Sequence, residues 1–121
     1  MTYTRTLTGQ LGNVQARAPG SNIMLIGPTY RSQGKVGEIG RQCLESVQAV
    51  SRSVAESMGI TYIDAMALVK SRCGGDGTGA DGVHLTDKAV RAVLGTALDV
   101  ALGRTYDTAF VTRPGLSLIH V

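Results

Sequence analysis

The 121-residue chain contains no tryptophan, one phenylalanine and four tyrosines, so its core must be aliphatic, built from Val, Leu, Ile and Ala. No apolar run approaches the roughly 20 residues that cross a bilayer. The start, Met1-Thr2-Tyr3-Thr4-Arg5, lacks the apolar stretch of a signal peptide. These absences predict a soluble chain with no membrane partner and leave its compartment open. Twelve Lys and Arg give a net charge of +3, but they are scattered from Arg5 to Arg113 without a run and with few aromatics beside them. A nucleic-acid binder concentrates such charge on one face, so nucleic acid is not an expected partner. The two cysteines, Cys43 and Cys73, have neither C-x-x-C spacing nor a histidine cluster, which argues against structural zinc. No metal and no cofactor are expected.

What is present suits one small α/β domain with generous loops. Tyr3, Leu7, Leu11, Val14 and Ala18 recur at helical spacing, and Pro19-Gly20-Ser21 stops that helix. Asn22 to Ile26 is a short apolar run ending at Gly27-Pro28, the pattern of a strand buried on both faces. After a polar loop, Val36, Gly40, Cys43, Val47, Val50, Val54 and Met58 alternate spacings of four and three, the clearest periodicity in the chain. Cys43 on that stripe is expected to be a buried thiol acting as a small hydrophobe. Gly59 closes the helix, and Ile60 to Asp64 reads as a second strand, parallel to the first through a right-handed crossover. Ala65 to Arg72 reads as a helical turn. Thr86 is a good N-cap for a helix whose stripe is Val90, Val93, Leu94, Ala97, Val100 and Ala101. Tyr106–Thr112 and Leu116–Val121 are strand-like runs around Arg113-Pro114-Gly115, which predicts a hairpin or an extended arm.

Between the second strand and the last helix lies a glycine-rich loop, Gly74 to Thr86, in which Asp81 and His84 stand three residues apart. A neutral imidazole can take a proton from a hydroxyl nucleophile when a carboxylate fixes its tautomer and stabilises the imidazolium. A tight turn brings a carboxylate back to a ring three residues on, and Gly79 and Gly82 ease such a turn. The alternative is a turn-forming Asp81 beside an ordinary loop histidine. A calcium site using Asp76 and Asp81 is a further alternative, although their spacing fits no EF-hand.

The words Asp81-Gly82-Val83-His84-Leu85-Thr86, preceded by a strand ending Tyr62-Ile63-Asp64 and followed by an amphipathic helix, resemble the C-terminal block of SGNH (GDSL-type) hydrolases. The order of elements over residues 3–102 is similar to that family's second half. The resemblance implies a partial flavodoxin-like three-layer fold, with a short parallel sheet flanked by helices over residues 1–104 and a C-terminal extension over 105–121. It also implies that Asp81 and His84 are the acid and base of a serine esterase acting on a small acylated substrate or carbohydrate ester.

The departure from the family is equally informative. Its nucleophile lies in an N-terminal Gly-Asp-Ser block, and no serine here has that setting: Ser21 sits in a turn, Ser32 in a loop, and Ser46, Ser51, Ser53 and Ser57 in the long helix. The blocks supplying the oxyanion-hole Gly and Asn are missing too. Without a nucleophile and oxyanion donors the loop cannot run acyl transfer. The expected partner is therefore a complementary N-terminal half or a second copy of the chain, with a catalytically inactive interaction module as the alternative. Two parallel strands also leave open edges, which the tail could cover. Asp64 is expected to cap the next turn, with contact to substrate as the alternative; Tyr30 and Arg31 are expected to lie in a surface loop, with the lining of a substrate cleft as the alternative; His120 has no assigned role.

Overall fold

The computed structural model describes residues 2–114. In chain order these form helix α1 (Thr2–Arg17), strand β1 (Met24–Ile26), helix α2 (Gln33–Ser57), strand β2 (Thr61–Ile63), helix α3 (Ala65–Cys73), helix α4 (Asp87–Ala101), a 3-10 turn (Thr108–Phe110) and strand β3 (Val111–Thr112). The protein is α/β, with a small mixed sheet in the order β1-β2-β3. β1 and β2 run parallel, pairing Met24 with Thr61 and Ile26 with Ile63, and α2 makes the crossover. β3 runs antiparallel to β2, with Val111 opposite Ile63. The tail thus supplies an edge strand. The second run of the expected hairpin, Leu116–Val121, lies outside the described residues, as does His120.

Successive side chains of a strand point to opposite faces, and β2 shows the consequence. Ile63 packs with Leu68 and Val69 of α3, Ala89, Val93 and Val100 of α4, and Val111 of β3. Tyr62, its neighbour, packs on the other face with Leu7 and Leu11 of α1 and with Val54, Ala55 and Ile60. Tyr62 is fully buried, and burial pushes its phenol above the ordinary range. Its hydroxyl donates to the Gln48 carbonyl oxygen at 3.3 Å, which answers the cost of burying it.

The long helix differs from its sequence pattern in one respect: Cys43 is exposed, not buried on an apolar face. At about 1.5 Å per residue α2 extends far beyond the roughly 10 Å covered by a three-residue strand. Of its residues whose burial is described, only Ser51, Val54 and Ala55, all in its last third, are buried. In its first half Ile39 is 83% exposed. Gly37 (φ 70°, ψ 178°) interrupts the helix near its start.

No helix among the described residues is long and apolar enough to cross a membrane.

Candidate active site

The loop from Gly74 to Thr86 is built by its own backbone. Gly79 N–H donates to the His84 carbonyl at 2.8 Å, Gly82 N–H to Gly79 at 3.0 Å, and Thr86 N–H to Gly77 at 2.8 Å. Thr86 then caps α4 by accepting from Ala89 N–H at 3.2 Å. Two glycines are required where they stand. A β-carbon at Gly77 (φ +74°) would lie 2.3 Å from Val69 Cγ1, and one at Gly82 (φ +69°) would lie 2.2 Å from Ser32 Oγ. Both positions combine a left-handed backbone with no room for a side chain.

Inside this frame Asp81 does two jobs. Its Oδ1 accepts from the backbone N–H of Val83 at 2.9 Å and of His84 at 3.0 Å, which closes the turn. Its Oδ2 lies 2.5 Å from His84 Nδ1. Since an ionised carboxylate can only accept, Nδ1 carries the proton of this bond, and in the neutral ring Nε2 is left as an acceptor. The His84 bond, followed by the two backbone donors, holds the Asp81 carboxyl well below the usual carboxylate range. The pair sits in the open: the His84 side chain is 85% exposed and that of Asp81 49%. Cavities of about 430 Å³, beside Asn22 and Arg113, and about 300 Å³, between Tyr30 and Asp64, are lined by neither residue.

The loop is fastened to the segment that leaves β1. Ser32 N–H donates to the Gly82 carbonyl at 2.8 Å. Arg41 of α2 forms an ion pair with Asp76 at 2.8 Å, donates to the Arg31 carbonyl at 3.2 Å and stacks 4.2 Å from the centre of the Tyr30 ring. The Tyr30 hydroxyl donates to Glu45 at 2.5 Å, and that bond is the main cause raising its phenol to about 12. Sequence spacing gave no hint of these contacts, because Arg41 and Asp76 are 35 residues apart. They also give Asp76 and Asp81 separate partners, and no cluster of three metal-ligating side chains occurs among the described residues. Asp64 caps α3, accepting from Ala67 N–H at 3.0 Å, as its position after a strand suggested.

Fold and site together define an α/β protein with an exposed carboxylate–imidazole pair on a hydrogen-bonded glycine loop. Comparison of the chain with protein-family models, curated proteins and solved structures gives no match.

Proposed function

We propose that this chain is the C-terminal portion of an SGNH-like esterase of partial flavodoxin-like three-layer architecture, in which Asp81 and His84 serve a serine carried by a complementary N-terminal half. The reading rests on the 2.5 Å Asp81–His84 contact, which leaves Nε2 free to accept a proton. In the completed site the serine hydroxyl gives its proton to Nε2 as its oxygen attacks the ester carbonyl. The imidazolium, stabilised by Asp81, then protonates the departing alcohol, and water releases the acyl group by the same route in reverse. Oxyanion donors come from the other half. β1, which among the described residues has a neighbour only on its β2 side, offers the sheet edge for it. Ile26 at this edge is 39% exposed. Substrates of this chemistry are small acylated molecules or carbohydrate esters.

The purified chain is expected to be inert toward a short-chain p-nitrophenyl ester and to gain hydrolysis when combined with a polypeptide bearing the Gly-Asp-Ser block. His84→Ala should then lower the rate roughly 10²–10⁴-fold, the usual contribution of a general base. Reconstituted activity that survives His84→Ala would remove the role given to this residue. A second reading, an inactive interaction module of a larger assembly, draws on the openness of the pair, which lines neither of the two cavities described above. In that case the halves assemble and no hydrolysis follows.

A further inference from the structure

Two parts of the chain must stand in register before His84 can serve a nucleophile from another polypeptide. In the proposed enzyme the serine-bearing half joins at β1, whereas the acid–base pair hangs between α3 and α4, at the tip of a hairpin held by the Thr78–Leu85 bridge. The segment that leaves β1 is bonded to this tip through the peptide group Arg31-Ser32. Its N–H donates to the Gly82 carbonyl at 2.8 Å, one residue past Asp81. Its carbonyl accepts from Arg41 Nη1 at 3.2 Å. The same Nη1 donates at 2.8 Å to Oδ2 of Asp76, at the base of the hairpin, where Gly77 and Thr86 are joined. One guanidinium therefore acts on both ends of the loop, directly at the base and through the peptide at the tip.

This grip is better shielded than the pair it steadies. The Arg41 and Asp76 side chains are 22% and 27% exposed, against 85% for His84. Salt screens a partly buried ion pair less than an open one. The Tyr30 ring lies 4.2 Å from the guanidinium and is itself bonded to Glu45, one turn further along α2. Stacking fixes the plane of the guanidinium and so the direction of its donors. A cation on the carbonyl also polarises the peptide and strengthens its N–H as a donor to Gly82. The bonds of Asp81 to His84 and to the backbone N–H groups of Val83 and His84 all lie within the tip. What Arg41 governs is where the pair stands, not how it is joined.

We propose that Arg41 is a positioning residue, which holds the Asp81–His84 pair in register with the carboxyl end of β1 by gripping Asp76 and the Arg31-Ser32 peptide together. Its effect on turnover rests on the esterase reading. The placement of the pair against β1 is measurable without it.

Amide hydrogen exchange on the full chain reads that placement, because the Ser32 N–H reports the bond to Gly82. Arg41→Met keeps an unbranched stem over Tyr30 and removes every donor, whereas Arg41→Lys keeps the charge and three donors. Arg41→Met should speed Ser32 exchange by about tenfold or more, as loss of a charged hydrogen bond does. Exchange at Gly27, bonded to the Ile63 carbonyl in the sheet, and the Nδ1–H form of His84 should not change. Arg41→Lys should recover most of the protection. Asp76→Ala, a milder variant that removes only the base of the grip, should speed Ser32 exchange about threefold. With a polypeptide carrying Gly-Asp-Ser added, Arg41→Met should lower kcat roughly 10–100-fold at unchanged KM, since misplacement by about 1 Å costs that much. The proposal is overturned if Ser32 exchange stays at the wild-type rate in Arg41→Met and Asp76→Ala, or rises only in step with that of Gly27, which is general loosening. It is overturned equally if an active reconstituted enzyme keeps its kcat in Arg41→Met. A wild type that gains no hydrolysis removes the esterase reading, and selective loss of Ser32 protection then still upholds Arg41 as the residue that sets the pair against β1.

Discussion

Asp81 spends all of its hydrogen-bonding geometry locally: two backbone N–H groups on one oxygen and an imidazole on the other. That arrangement selects a tautomer. A free histidine side chain favours the proton on Nε2, but here the carboxylate holds it on Nδ1. Heteronuclear NMR of the His84 ring nitrogens should therefore report Nδ1–H in the neutral ring, with Asp81→Ala shifting the proton to Nε2. A ring already in the Nε2–H form would remove the acceptor on which the proposed chemistry depends. The pair also couples the loop to pH. The Asp81 pKa in the folded chain lies below its unfolded value of about 4, so its contribution to stability is complete above that pH. It is lost as the pH falls further, through the folded value. Asp81→Ala should flatten this acid limb in denaturant titrations. High salt should flatten it as well, because both partners face solvent.

At the scale of elements, the glycine loop and the turn into α2 act as one unit. Gly82 sits against Ser32 with its carbonyl bonded to the Ser32 N–H, and Arg41 reaches across to Asp76. Gly82→Ala must strain the backbone and push Ser32 aside, at an expected cost of about 1–3 kcal/mol in urea unfolding. A change within a few tenths of a kcal/mol would mean that the two segments do not touch as described. Much of this level could be read from the sequence, because it is local. The periodicity of α2 and α4, the apolar runs of β1 and β2, the Thr86 cap and the capping role of Asp64 all follow from residues a few positions apart. Details that depend on distant partners could not be read in this way. β3 lies within the strand-like run Tyr106–Thr112, but its length of two residues and its antiparallel register are set by β2, some fifty positions earlier. Cys43 follows the stripe of α2 faithfully yet is exposed, since periodicity marks which face would be buried but not whether anything lies beneath it. The Asp81–His84 contact was foreseeable from its spacing. Ser32, Arg41 and Glu45 were not, because nothing in their own neighbourhood marks what they meet.

At the scale of the whole molecule, much is left uncovered among the described residues: the outer edge of β1, the outward face of α4, Ile39 in the first half of α2 and the imidazole of His84. A working serine esterase closes water away from its base and supplies oxyanion donors around it. In the proposed function this chain holds the acid and the base and leaves the remainder to another polypeptide. A fluorophosphonate probe asks directly where the nucleophile is, because an activated serine attacks phosphorus and expels fluoride, leaving an adduct that mass spectrometry locates. The chain should be treated alone and together with a polypeptide carrying Gly-Asp-Ser. The expected result is no adduct on this chain in either sample, and an adduct on the partner's serine that disappears with His84→Ala. An adduct on any serine of this chain, Ser32 beside Gly82 above all, would contradict the account.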